Sequence, residues 1–92
     1  MLIEFDPAKQ AKNLRDRGIG LDRFAELDFD TAISIEAQRK DYGEIRLRVL
    51  GYLEGKLHAD VLTPRGERIR VISLRRARAR EVRAYANERE SA

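Results

Sequence analysis

Through the middle of this 92-residue chain, apolar and polar positions alternate in three consecutive runs. Ile45, Leu47 and Val49 alternate with Arg46 and Arg48; Leu57, Ala59, Val61 and Thr63 with His58, Asp60 and Leu62; Ile69, Val71 and Ser73 with Arg68 and Arg70. A period of two is the mark of a half-buried strand, because successive side chains leave opposite faces of the pleat. Turn residues at Glu54-Gly55 and at Pro64-Arg65-Gly66 separate the runs, which predicts two hairpins and an antiparallel sheet. Leu2 to Phe5 reads as a short first strand. Ala32 to Ile35 reads as another, followed by a polar stretch from Glu36 to Glu44.

Helical signals flank this sheet. Asp6-Pro7 supplies a capping side chain and a preorganised first helical residue, Ala8, Ala11 and Leu14 give one apolar side, and Gly18 supplies the stop. A second short helix is predicted from Leu21 to about Leu27, with Leu21, Phe24 and Ala25 inward, and a last one from about Ala77 to Arg89. The expected class is α+β: an antiparallel sheet with two N-terminal helices and a C-terminal helix, in one domain over residues 1–92.

Composition narrows the function classes. There is no cysteine and no apolar run long enough for a membrane span, so a cytoplasmic protein without membrane contact is expected. Charge is distributed unevenly: residues 1–64 hold 10 Lys+Arg against 12 Asp+Glu, and residues 65–92 hold 9 Arg against 4 Glu. Those nine cations are all arginine, whose planar fork grips phosphate or carboxylate in bidentate fashion.

With the apolar alternates turned inward, Arg46, Arg48, Arg68 and Arg70 emerge together on the opposite sheet face. Three-residue loops at both hairpins would set Asp60 opposite Arg70, put Leu62 between Arg48 and Arg68, and bring His58 and Asp60 onto the arginine face. Arg76, Arg80 and Arg83 would form one ridge of the last helix, beside Arg75 and Arg78. Like charges on neighbouring strands repel, so the array asks for a polyanion such as RNA or for an acidic protein segment. His58 could serve as a base, or be an ordinary strand residue; Tyr85 could be a proton donor or a packing residue. No zinc spacing, phosphate loop, nucleophile triad or carboxylate pair occurs, so the sequence points to no metal and no cofactor.

Three blocks of residues carry a family resemblance. Phe5-Asp6-Pro7 with Lys9, Asn13 and Gly18-Ile19, then Asp41-Tyr42-Gly43-Glu44 with Arg46 and Gly51, then Arg68-Ile69-Arg70-Val71-Ile72-Ser73 with Arg75-Arg76-Ala77, Glu81 and Tyr85, follow in order over nearly the whole chain. Together they resemble the BrnT family of bacterial toxins. The resemblance implies a RelE-like fold, metal-independent endoribonuclease activity on RNA, and a BrnA-type antitoxin. It also implies a toxin dimer within the complex, with DNA contacted only indirectly through the antitoxin. Carried over residue by residue, it implies catalytic roles for Arg46, Arg70, Arg75, Arg76, Glu44 and Lys40. RNA contacts are expected from Arg48, Arg68, Arg80, Arg83 and Tyr85. The chain differs from the family where a His often precedes the middle motif, since Arg39-Lys40 stand there. The same arginine face would also serve a non-catalytic RNA- or antitoxin-binding module.

Overall fold

The structure, a computed structural model, describes residues 2–39 and 44–91, the side chains of 36, 37, 39 and 91 excepted. The elements are β1 (Leu2–Glu4), α1 (Pro7–Arg17), a 3₁₀ helix (Leu21–Glu26), β2 (Ile33–Arg39), β3 (Ile45–Leu53), β4 (Lys56–Arg65), β5 (Arg68–Arg76) and α2 (Ala79–Ser91). They form one five-stranded sheet in the order β1-β5-β4-β3-β2. The three alternating runs are its three central strands, and the mixed α+β class is as expected. The sheet is not wholly antiparallel, because β1 pairs in parallel with β5. The second N-terminal helix is 3₁₀ rather than α. β2 runs on through part of the polar stretch that begins at Glu36, since an edge strand needs backbone pairing with β3 more than it needs apolar side chains.

Both hairpins close with two residues, not three. Leu53 pairs with Lys56 around Glu54-Gly55, where both residues have positive φ (51° and 76°), the pattern that matches strand twist. Arg65 pairs with Arg68 around Gly66-Glu67, with Gly66 at φ 60°. The first turn sets the parity of β4, and a change of one residue exchanges its faces. Asp60 therefore lies opposite Val49 and Leu74, not Arg70, and Leu62 lies opposite Leu47 and Val71. His58 and Asp60 belong to the face away from the arginines, which corrects the expected register.

One face is covered by α1 and the 3₁₀ helix. Its core joins Leu21, Phe24 and Leu27 to Leu53, Leu62, Val71 and Leu74. Gly51 is buried here because a Cβ would stand 2.7 Å from Leu27 Cδ2. The other face is covered only in part, by α2, where Leu50, Leu57, Ala59 and Tyr85 cluster. A β-bulge in β5 matters to both faces. Val61 pairs with Ser73 and Leu62 with Val71, so Ile72 is skipped. Val71 and Leu74 consequently both reach the first core, and Arg70 and Arg75 share the second face although they are five residues apart.

α1 spans the bounds the sequence predicted. Gly18 takes a left-handed conformation and its N–H donates to the Leu14 carbonyl at 2.9 Å. Its docking face is the reverse of the predicted one: Ala8, Ala11 and Leu14 are exposed, and the buried residue is Asn13. β1 pairs with β5 only as far as Arg70, so the outer edge of β5 at Leu74 has no strand beside it. Asn13 takes that place. Its Nδ2 donates to the Leu74 carbonyl (2.8 Å) and the Ile19 carbonyl (2.8 Å), and its Oδ1 accepts the Leu74 N–H (3.3 Å). Gln10 adds a bond from Nε2 to Asp22 Oδ1 (2.8 Å) and accepts the Leu21 N–H. Asn13→Ala leaves buried backbone groups of Leu74 unpaired and is expected to cost ~2–4 kcal/mol in urea unfolding; an unchanged midpoint would remove Asn13 as the tie between α1 and the sheet.

Candidate nucleic-acid interface

Strand parity, the bulge and the limited cover of α2 leave one end of the second face lined with guanidinium groups. Arg46 and Arg48 come from β3, Arg68, Arg70 and Arg75 from β5, and Arg65 from the end of β4. Among the described residues, three glutamates pair with them. Glu4 of β1 accepts from Arg70 Nη2 at 2.8 Å, and Glu44 accepts from Arg46 Nε at 3.0 Å with Arg65 Nη2 3.8 Å away. Glu81 takes Arg75 and Arg48. Among the described residues these three glutamates tie five of the six arginines into one charged cluster, and Arg46, Arg48 and Glu44 take part in further interactions as well.

Glu81 is the most constrained group of this face. Oε1 accepts from Arg75 Nη1 (2.8 Å) and the Arg78 backbone N–H (2.8 Å); Oε2 accepts from Arg75 Nη2 (2.9 Å) and Arg48 Nη1 (3.1 Å). Arg78 precedes the first helical residue of α2, so Glu81 stands three residues on and makes the reciprocal half of a capping box. The same carboxylate therefore starts α2 and clamps two strands. The bidentate Arg75 guanidinium, ahead of the Arg78 N–H and Arg48, holds its carboxyl down to about 2 against the opposing effect of burial. Beside it, Ile35, Arg48, Arg78, Arg80, Glu81 and Ala84 line an open cleft of about 550 Å³.

The predicted site residues divide among three places. Arg46, Arg48, Arg70 and Arg75 are half-buried on the arginine face with Glu44 at its open end, and Arg68 is exposed there. Arg80 and Arg83 are exposed on α2, but Arg76 belongs to β5, so the helical ridge of three does not form: α2 begins at Ala79, two residues after the predicted start. Arg76 instead pairs with His58 on the opposite face. Tyr85 is buried, packed edge-on against Tyr52 (ring centroids 5.5 Å apart), and its hydroxyl donates to the Thr31 carbonyl at 2.9 Å. Lys40, and the motif residues 41–43, lie outside the described residues.

One site-shaping residue, Glu4, escaped sequence reading, and Glu81, visible as a partner for the arginines, turned out to cap a helix as well. Glu4 reaches Arg70 only because β1 lies parallel to β5. The role of Glu81 was hidden because an arginine, not a Ser or Thr, holds the capping position, although the three-residue spacing was visible. Asp60 is a third surprise: fully buried opposite Val49 and Leu74, with neither carboxylate oxygen hydrogen-bonded among the described residues. Burial pushes its carboxyl up to about 8, partly opposed by the Arg75 charge.

Two pH effects of opposite sign follow. The Glu81 contribution is present above its ordinary value of 4.5 and is lost as pH falls through about 2. Glu81→Gln should therefore lower stability at pH 7 by ~2–4 kcal/mol and flatten the acid limb of a denaturation series. Asp60, with its folded value raised, favours the folded state at low pH and loses that contribution as pH rises from about 4 to about 8. Asp60→Asn should gain at least ~1 kcal/mol at pH 8 over wild type, measured by the same unfolding series; a loss at pH 8 would show that the ionised carboxylate is needed.

Against this geometry, the family model described as "Ribonuclease toxin, BrnT, of type II toxin-antitoxin system" matches residues 5–81. No curated protein matches the chain.

Proposed function

The chain belongs to the BrnT family of ribonuclease toxins of type II toxin–antitoxin systems, and we propose that it is a metal-independent endoribonuclease acting through its arginine face. The observation that carries this reading is the clustering of six guanidinium groups around Glu4, Glu44 and Glu81 on a half-covered sheet face. In the proposed step, the ribose 2′-oxygen attacks the adjacent phosphorus and the bond to the 5′-oxygen breaks. The products are a 2′,3′-cyclic phosphate and a 5′-hydroxyl. Glu44, beside Arg46, takes the proton from the 2′-hydroxyl, and the leaving 5′-oxygen takes one from water.

Arg46 and Arg70 meet the pentavalent phosphorane, where preorganised charge supplies several kcal/mol that water would not. Arg75 and Arg48 act through their position: Glu81 fixes them so that their charge needs no reorganisation when the dianion forms. Lys40, four residues before Glu44, is assigned to a phosphate contact, because an ordinary lysine is protonated at neutral pH and makes a poor base. Tyr85 supports α2 rather than the reaction, its hydroxyl being committed to Thr31. The wider reading has a RelE-like fold acting in the cytoplasm, where RNA cleavage arrests translation and growth until a BrnA-type antitoxin binds a toxin dimer.

Binding without cleavage is the second reading. One observation favours it: the chain's single histidine stands on the opposite sheet face, so the arginine face has no imidazole for proton transfer. Expression of wild type beside Arg46→Ala/Arg70→Ala, at matched protein levels, separates the two. Wild type should halt growth and leave 2′,3′-cyclic phosphate ends, in EDTA as well as without it. The double variant should cleave at least ~100-fold more slowly. Retention of full toxicity and cleavage by the variant would sink the mechanism. Salt-sensitive RNA binding with no cleavage by wild type would establish the second reading.

A further inference from the structure

The face that carries α1 holds a second cationic site, unrelated to the arginine face. A pocket of about 250 Å³ lies between the end of α1 and the β3–β4 hairpin, lined by Arg17, Arg23, Lys56, His58 and Arg76 together with Glu54. Its charges are arranged differently from those described above. Arg23 is neutralised, donating from Nη2 to Glu54 (2.6 Å) and from Nε to Glu26 (2.7 Å). The side chains of Arg17, Lys56 and Arg76 make no hydrogen bond or ion pair among the described residues, and all three are exposed. The carboxylate in the pocket lining, Glu54, is taken by Arg23, so these three cations have none among the described residues.

His58 completes the wall. It is 6 % exposed and lies directly opposite Arg76 in the β4–β5 register. Its Nδ1 stands 2.7 Å from the Lys56 carbonyl, which fixes the ring and leaves Nε2 as the nitrogen available to another partner. Three unpaired cations of like sign, two of them guanidinium forks, favour an anion that can accept several hydrogen bonds at once, and phosphate has that geometry. Arg75 and Arg76 are adjacent, and strand alternation sends Arg75 to the arginine face and Arg76 into this pocket. Arg17 also borders a further groove that Lys9 and Lys12 line along α1.

We propose that the pocket formed by Arg17, Lys56, His58 and Arg76 is a second phosphate-binding subsite, which holds a phosphodiester of the RNA substrate at a distance from the arginine face. The proposal rests on the reading of RNA as substrate. It adds a binding role for the sheet face opposite the reaction, and explains why Arg76 is cationic there.

The test uses the full chain, a fluorescent oligouridine and inorganic phosphate. Phosphate should shift the ring resonances of His58, which are unambiguous because the chain has no other histidine. An Arg17→Gln/Lys56→Gln variant, altered only at exposed positions and checked for wild-type unfolding, should lose that shift. The same variant should bind the oligonucleotide about 10-fold more weakly at 0.1 M salt, and its slope of log K against log salt should fall by about 0.7, the value for one phosphate no longer neutralised. Unchanged affinity and slope in the variant would overturn the subsite. A phosphate-induced shift in a wild type that binds no oligonucleotide would overturn its assignment to RNA and leave a small-anion site. Loss of binding to an acidic peptide, with RNA affinity retained, would overturn it in favour of a protein partner. If Arg46→Ala/Arg70→Ala retains full RNA affinity and cleavage while the pocket variant loses affinity, the arginine-face reading fails and the subsite stands.

Discussion

Glu81 is the constraint on which the functional face depends. One buried carboxylate accepts four hydrogen bonds: two from Arg75, one from Arg48 and one from the backbone that starts α2. Without it, two guanidinium groups on a partly dry sheet face would repel each other, and α2 would begin with an unsatisfied N–H. With it, the helix and two strands are tied at one point, and the positive charge is held in place before any ligand arrives. That is the condition under which electrostatic stabilisation of a phosphorane is most effective, because the charges do not have to be reorganised.

Polar groups also hold the other face together, where a hydrophobic core would be expected to suffice. Asn13 acts as a short strand substitute for the edge of β5, and Gln10 ties α1 to the start of the 3₁₀ helix. The burial of Asp60 works against stability, as nothing among the described residues satisfies its oxygens. A domain of this size has a small margin, since short chains bury a lesser fraction of their surface. Such a margin makes the specific polar ties more consequential than their number suggests.

The sheet separates two kinds of cation. Those near Glu4, Glu44 and Glu81 are preset by carboxylates, whereas Arg17, Lys56 and Arg76 around His58 have none among the described residues. On the proposed reading, paired arginines serve positioning and transition-state charge, and unpaired ones serve capture. Two faces of one sheet give room for the two tasks, and the neighbouring residues Arg75 and Arg76 lie one on each.

Much of this was legible along the chain. Alternation located the three central strands, Asp6-Pro7 and Gly18 bounded α1, and the arginines of β3 and β5 were correctly grouped, because a period of two is a local property of the backbone. The blocks from Phe5 to Tyr85 carried the family. What local pattern could not supply was parity between elements. A turn of two residues rather than three moved His58 and Asp60 to the far face, and one skipped residue at Ile72 put Arg75 on the same face as Arg70. The docking face of α1 was likewise reversed, because hydrogen bonds from Asn13 to an open strand edge outweighed the small apolar stripe of Ala8, Ala11 and Leu14. The sequence by itself determined which residues carry charge and which segments are strands. The tertiary structure decided which of those charges meet, since hairpin length, a bulge and a parallel edge strand act on whole faces at once.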